Sequence, residues 1–306
     1  MSAHCQFNSS HNVKLWTTVH DFEYQTCTNE QFSYYLCYEC DSLFLFNPPT
    51  SRLSEIYPPD YYSFVDEGYS FLYKIKFFLD RRRFRQSFKG LPFSDVNILD
   101  VGGGIGHLAV EARRSFLHST QVKTWVCDLD LDAKIRAEAN GHVYVRSTFE
   151  DFEVKQLFHV ILAFNIIEHV ENPIKFLKKI DDLLEPGGIA ILQTPNWKSL
   201  DAWLFRRFYW GGLHAPRHFY LFSKGSLKKE ILSRGFKILT HRNVPAGSFW
   251  TYSVFALTKG RNSKTNVEPM YSWPLHSLLI GVFTLLDLVR GVVFNTSQQY
   301  VVLQKL

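Results

Sequence analysis

The chain has 306 residues, enough for one large domain with an appendage or for two modest domains, and its 46% hydrophobic and 21% charged residues are those of a folded globular protein. With 34 basic against 29 acidic residues the net charge is only +5, too small by itself to mark a nucleic-acid binder. The longest apolar run, "LLIGVFTLL", is about half the ~20 residues needed to cross a bilayer, and the polar start "MSAHCQFNSSHN" lacks a secretory core, so a cytoplasmic protein is expected.

Residues 1–68 are rich in Cys, His and Tyr and close with "NPPT" and "YPPDYY", which read as loop. Five cysteines, an odd number with no export signal, point to reduced thiols or metal ligands rather than disulfides. Cys37 and Cys40, in "CYEC", have the C-x-x-C spacing that suits half of a tetrahedral zinc site. Aromatic and basic residues at helical spacing in "YSFLYKIKFFLDRRRFR" predict a connecting helix within 69–90.

Alternation follows. "VNILDVG" reads as a buried strand, "GHLAVEARRSF" as a helix and "VKTWVCDLD" as a strand ending in acids. "LDAKIRAEAN" predicts a helix stopped by Gly141, and "VYVRST" and "FHVILAFN" predict two more strands. "NPIKFLKKIDDLL" is a helix opened by Asn-Pro and closed by "EPGG", before a strand at "IAILQTPN". After an interruption at 197–218 come a helix at 223–234, a strand at "FKILTHRNV", a helix near 275–290 and a closing strand at "QQYVVLQK". Such alternation predicts an α/β fold with a mostly parallel sheet over residues 91–306, helices on both faces and ligands at the carboxyl ends of the strands. The segment 197–218 is expected to lie over that end as an insertion.

The first strand runs into "ILDVGGGIGHLA". Glycines at 102, 103, 104 and 106 let backbone approach a ligand closely, because no Cβ intervenes. Their spacing is G-x-G-x-G, not the dinucleotide G-x-G-x-x-G, and no Lys-Ser/Thr follows as a phosphate-binding loop requires. Asp100, two residues before the first glycine, would repel a phosphate. Asp128 ends the second strand and is placed to take both ribose hydroxyls. A cationic sulfonium nucleoside fits these two acids better than a pyrophosphate does.

With "CDLD", "FHVILAFNIIEHVENPIKFLKKIDDLLEPGGIAILQTPN" and "LHAPRHFYLFS", the chain over 95–240 resembles class I S-adenosylmethionine-dependent methyltransferases. The similarity is to the branch near ubiquinone-type O-methyltransferases and bacterial sugar and lipid methyltransferases. It implies a Rossmann-like seven-stranded sheet and an S-adenosylmethionine pocket lined by Gly102, Gly103, Gly104 and Gly106. Asp100 would belong to that pocket, Asp128 would bind ribose and Leu129 would flank adenine. Glu150 or Asp151 would reach the adenine amine, with Phe164 and Asn165 lining the pocket after the fourth strand. Where relatives begin that strand with Asp, this chain has His159.

Methyl transfer is an in-line displacement, so alignment of donor and acceptor does most of the work. A hydroxyl acceptor also needs a base, and His169, His214 and His218 are the candidates, with His218 preferred from the "H-x-x-x-F" pattern of the resembling proteins. Ubiquinone-type relatives place an acid before the Glu-His pair, where a divalent metal can sit. Asn165 occupies that position here, so no catalytic metal is expected. Related methyltransferases often carry an amino-terminal zinc ribbon of two C-x-x-C pairs, but the first pair is broken, with Asn8 at the expected place after Cys5. Cys5, Cys27, Cys37 and Cys40 are the expected ligand group for a structural zinc, with His4 or His11 as substitutes for a missing member. Tyr61 and Tyr62 are expected to close over the cofactor.

Aromatics beside Arg206, Arg207 and Lys198 in "WKSLDAWLFRRFYWGGL" suit either a membrane-surface helix or the wall of a sugar-nucleotide site. A packed lid or dimer surface is the third possibility for that segment. The expected activity is methylation of a small-molecule hydroxyl on a sugar, lipid-linked glycan or quinone-like metabolite. A catalytically silent cofactor-binding regulator on the same fold is the alternative. A nucleic-acid acceptor is not expected, because the position after the fourth strand reads "NIIE" rather than a Pro-Pro-Tyr-like motif. The sequence leaves the oligomeric state open.

Overall fold

The computed structural model describes residues 4–5, 7–27, 30–57, 71–116, 120–259 and 275–306. Tyr61 and Tyr62 lie outside the described residues.

The amino-terminal part forms a small sheet ahead of the Pro-punctuated passage. β1 (Val13–Val19), β2 (Phe32–Cys37) and β3 (Ser42–Leu45) run antiparallel, and a 3-10 turn and the four-residue α1 (Leu53–Ile56) follow. β-Branched and aromatic residues in "VKLWTTV" and "FSYYLC" fit a pleated surface with one face buried. The signal was hidden because the prolines that attract attention lie just after β3. α2 (Phe71–Ser87) then leads to the main sheet.

That sheet is built from β4 (Asp95–Val101), β5 (Gln121–Asp128), β6 (Val143–Arg146), β7 (Phe158–Phe164), β8 (Leu184–Pro195), β10 (Lys237–Val244) and β11 (Gln298–Gln304). Its order is β10-β11-β8-β7-β4-β5-β6, with β11 running antiparallel to the other six strands. The fold is therefore the expected α/β, Rossmann-like sheet of seven mostly parallel strands. The chain reverses direction of travel between β4 and β7, and such a switch point opens a crevice at the carboxyl ends. β7, "FHVILAF", is buried almost throughout because helices cover both faces of the sheet.

α3 (His107–Arg113), α4 (Leu131–Ala139) and α5 (Pro173–Leu183) make the crossovers. Asn172 caps α5 by accepting from Lys175 N at 3.0 Å, and Pro173 fills the first helical position, whose N–H would lack a partner anyway. "EPGG", expected to close α5, belongs to the start of β8, with Gly187 at φ +77°. α6 (Leu200–Phe205) forms inside the interruption, and β9 (Tyr220–Phe222) just after it joins β3 as the fourth strand of the amino-terminal sheet. α7 (Lys224–Leu232) precedes β10, and α8 (Gly247–Lys259), which the sequence reading did not anticipate, pairs with α9 (His276–Arg290) before β11. No helix among the described residues is long and apolar enough to cross a membrane.

β9 is not the only link between the amino-terminal sheet and the later part of the chain. Tyr34 OH on β2 donates to Leu213 O and His218 O at 3.1 and 2.9 Å. Arg217 is fully buried, its guanidinium paired with Asp21 at 3.1 and 3.2 Å and donating to Ile56 O at 2.6 Å. A buried charge needs such complete pairing, because desolvation of an unpartnered ion costs several kcal/mol.

Candidate active site

The glycine turn starts where β4 ends, with Gly102 N donating to Cys127 O on β5 at 2.8 Å. Gly102, Gly104 and Gly106 adopt φ of +63°, +52° and +80°, conformations costly for residues with a Cβ. A Cβ on Gly102 would run into Ile166, on Gly103 into Asp100 and on Gly106 into His142. A Cβ on Gly104 would meet nothing within 4 Å, so this residue faces open space at the strand ends.

Asp100 closes the turn from beneath. It is buried, and its Oδ2 accepts from Ala109 N at 3.2 Å in α3. Burial pushes this carboxyl up to about 7 against the Ala109 hydrogen bond, and the neighbouring Asp128 pushes the same way. Asp128 stands at the tip of β5, where Oδ2 accepts from Gly104 N at 2.8 Å and Oδ1 from Asp130 N at 3.1 Å. An ionised carboxylate has about four acceptor directions, so both oxygens have capacity for a ligand hydroxyl as well.

Leu129 follows with an exposed side chain. Glu150 and Asp151 are exposed; Asp151 Oδ2 accepts from Thr148 Oγ1 at 2.8 Å, and the Glu150 carbonyl accepts from Lys179 Nζ. Phe164 ends β7, packed edge-on against Phe84 and Tyr300. Asn165 sits at φ +55°, and its Oδ1 accepts from Gln298 Nε2 at 2.9 Å. His159, at the other end of β7, accepts from Asn97 N at 3.0 Å, a role far from the crevice.

The three histidines meet. Ring centroids are 4.7 Å apart for His169–His218, 5.1 Å for His214–His218 and 6.3 Å for His169–His214. His169 comes from the loop after β7, and the other two come from the segment before β9. His218 Nδ1 donates to Gly212 O at 2.8 Å, and His169 Nδ1 lies 3.1 Å from Arg217 O and 3.0 Å from Tyr57 OH. Burial pushes His169 down to about 3 and His218 well below the usual imidazole range, with neighbouring histidines adding to both. Both rings are therefore neutral at physiological pH.

His214 differs from its neighbours in having a carboxylate. Its Nδ1 lies 2.6 Å from Glu23 Oε2, and Tyr209 OH donates to Glu23 Oε1 at 2.8 Å. Glu23 belongs to the amino-terminal part, in the connection between β1 and β2. No signal in the chain announces a partner 191 residues away.

Glu168 is also buried here, Oε2 accepting from Thr194 Oγ1 at 2.9 Å and Oε1 having no partner. Burial pushes its carboxyl up to about 8. Donor atoms of Glu168, His169 and His218 lie within 4.8 Å of one another. One carboxyl and two imidazoles do not fit a hard divalent cation, which needs several oxygens, and Asn165 is turned toward Gln298.

A second group, Cys5, His11, Cys37 and Cys40, gathers in the amino-terminal part with donor atoms equally close. Cys27 lies apart from it, packed with Tyr34, Trp210 and Leu213 and within 3.8 Å of Arg52 Nη2.

A sequence-family profile described as a methyltransferase domain matches residues 71–241, more than half of the chain. The chain belongs to this family, on the class I S-adenosylmethionine-dependent fold and near its ubiquinone-type members. It is 30% identical over 157 residues to the ubiquinone biosynthesis O-methyltransferase of Rickettsia typhi, covering 49% of this chain and 61% of that protein. The namesake of Rickettsia bellii (strain OSU 85-389) is 34% identical over 104 residues, covering 34% and 43%. The chain thus spans about half the length of the curated relatives it matches. A coclaurine N-methyltransferase crystal structure with S-adenosylhomocysteine superposes at TM-score 0.52 and 12% identity, covering 79% of this chain and 76% of that one. A sarcosine dimethylglycine methyltransferase from Galdieria sulphuraria superposes at 0.51 and 13%, covering 76% and 86%. At that identity these two speak for the fold alone.

Proposed function

We propose that the protein transfers a methyl group from S-adenosylmethionine to a hydroxyl of a small molecule. The acceptor class is a sugar, a lipid-linked glycan or a quinone-like metabolite. The observation that carries the reading is Asp128, held by Gly104 N and Asp130 N beside an open glycine turn. In this reading the turn lies along the methionine part of the donor, Asp128 takes the ribose and Leu129 flanks adenine. Glu150 or Asp151 meets the adenine amine, and Phe164 and Asn165 line the pocket. Asp100, buried under the turn, shapes it rather than touching the donor.

Displacement at a sulfonium methyl needs the acceptor oxygen in line with the departing sulfur. Burial makes His169 and His218 weaker bases than a free imidazole, and backbone carbonyls fix both rings, so in this reading they serve to orient. His214, with Glu23 on Nδ1, is our choice of base over His218: a proton on Nδ1 leaves Nε2 as the basic nitrogen, and the carboxylate stabilises the imidazolium that forms.

The same reading places the protein in the cytoplasm with peripheral membrane contact. On α9 and after it, Leu285, Val289 and Val292 are 64%, 77% and 85% exposed, and on α6 Trp203 is 59% exposed with Arg206 over its ring. Apolar residues flanked by Arg206 and Arg207 suit an anionic bilayer surface. A structural zinc ion in the amino-terminal part completes the proposal.

The test is incubation of the protein with methyl-labelled S-adenosylmethionine and lipid and glycan extracts, followed by mass spectrometry. Label in an O-methyl product, lost in His214→Ala, supports the reading. Donor binding without any transfer supports the silent regulator instead. Flotation with anionic vesicles at low salt tests the membrane contact, and no binding removes it.

A further inference from the structure

We infer that Cys5, His11, Cys37 and Cys40 are the four ligands of one tetrahedral zinc ion, with His11 replacing a missing fourth thiol and Cys27 taking no part. The inference deepens the zinc reading above and rests on it.

The argument is geometric. Zinc sits about 2.3 Å from thiolate sulfur and about 2.0–2.1 Å from imidazole nitrogen. At tetrahedral angles those lengths set edges of about 3.8 Å between two sulfurs and about 3.6 Å between sulfur and nitrogen. Cys5 Sγ and Cys40 Sγ are 3.5 Å apart, and His11 Nδ1 is 3.2 Å from Cys40 Sγ and 3.6 Å from Cys37 Sγ. These three edges stand within about 0.4 Å of those of a zinc tetrahedron, and every other pair of the four donor atoms lies within 4.8 Å.

The chain delivers these atoms from two places. Cys37 ends β2 and Cys40 lies in the turn before β3, where Cys40 N donates to Cys37 Sγ at 3.3 Å. Cys5 and His11 come from the arm before β1. All five cysteines are free thiols. Three sulfurs and one imidazole select a borderline-soft ion of tetrahedral habit and disfavour calcium or magnesium.

The ion would tie the arm to the β2–β3 hairpin at a functional position. Cys5 and Cys37 pack in one core with Phe44, Tyr220 and Phe222, and Ser42 Oγ lies 2.7 Å from Tyr220 OH. β9, which holds Tyr220 and Phe222, runs directly on from His214 and His218. Zinc at this point fixes the small sheet that carries Asp21 and Glu23 to the histidines.

The test is metal analysis of the intact purified protein and its variants, with absorption spectra after cobalt substitution. One zinc per chain is expected, and cobalt gives thiolate charge-transfer and tetrahedral ligand-field bands. Cys37→Ser and Cys40→Ser lower occupancy at least tenfold, Cys27→Ser leaves it full, and His11→Cys keeps one ion with stronger thiolate bands. The His11 and Cys27 variants guard against loss through misfolding. A wild-type chain that takes up neither zinc nor cobalt overturns both the ligand set and the zinc reading. Metal lost in Cys27→Ser, or kept in Cys40→Ser, overturns the ligand set alone.

Discussion

Glu23 and His214 lie 191 residues apart in the chain and 2.6 Å apart in the fold, a carboxylate against Nδ1 with both side chains nearly closed to solvent. A loop of the amino-terminal sheet thereby reaches the histidine cluster at the carboxyl ends of the main sheet. Glu23→Gln retains the size of the side chain but not its charge. We expect turnover to fall about 10²-fold, the lower end of what a general base contributes. S-adenosylhomocysteine affinity should stay within twofold, since no donor contact is lost. Steady-state rates on the identified acceptor, beside calorimetry, check this; unchanged turnover would remove His214 from the role of base.

The Asp21–Arg217 pair makes a separate prediction about folding. Both side chains are fully buried, and Asp21 also accepts from Thr26 N and Oγ1. Asp21→Asn strands the guanidinium in the interior, which costs about 3–5 kcal/mol. Urea unfolding should show a loss of that size. A loss below about 1 kcal/mol would mean that water reaches Arg217.

Within the glycine turn the positions should separate. Gly104→Ala places a methyl in open space at φ +52°, so the stability cost is limited to the left-handed backbone, about 1–2 kcal/mol. Its effect on S-adenosylhomocysteine should be larger, about tenfold or more in affinity, because the methyl projects where the ligand is proposed to lie. Gly106→Ala, facing His142, should instead lose stability first. Thermal melts and calorimetry on both variants distinguish the two patterns.

How much of this was legible in the chain follows from the range of each interaction. β4 through β8 were readable because their apolar runs end at local punctuation, such as Asn172-Pro173 and the glycines after Val101. The glycine turn and Asp128 were readable for the same reason, the hydrogen bonds from Gly102 to Cys127 and from Gly104 to Asp128 spanning 25 and 24 residues. The amino-terminal sheet was not, since β9 supplies its edge from some 180 residues away. His11 shows the same limit. Spacing singled out the C-x-x-C pair, but only the fold brings the arm's Cys5 and His11 to it while Cys27 goes elsewhere.

Buried titrating groups set the pH dependence of stability. The carboxyls of Asp100 and Glu168 are pushed up by burial to about 7 and about 8, and the imidazoles of His142 and His169 are pushed down to about 4 and about 3. A carboxyl raised on folding binds more protons folded than unfolded, so stability falls as pH climbs from about 4 to the folded value. An imidazole lowered on folding does the opposite up to about pH 6.5. The trends oppose each other below pH 6.5, and above it only the carboxyls still act. Urea midpoints should therefore decline between about pH 6.5 and 8, and Glu168→Gln should remove the later part of the decline. A wild-type profile flat over that interval would contradict the burial argument.

The account depends most on what the glycine turn and Asp128 hold. Titration calorimetry of the intact protein with S-adenosylhomocysteine, repeated on Asp128→Ala, tests it directly. The expected result is one-to-one binding that weakens about 10–100-fold in the variant, in keeping with about 1.5–3 kcal/mol for hydrogen bonds to a charged group. Absence of binding to that compound, with tight binding of a nicotinamide or flavin nucleotide in its place, would contradict the account.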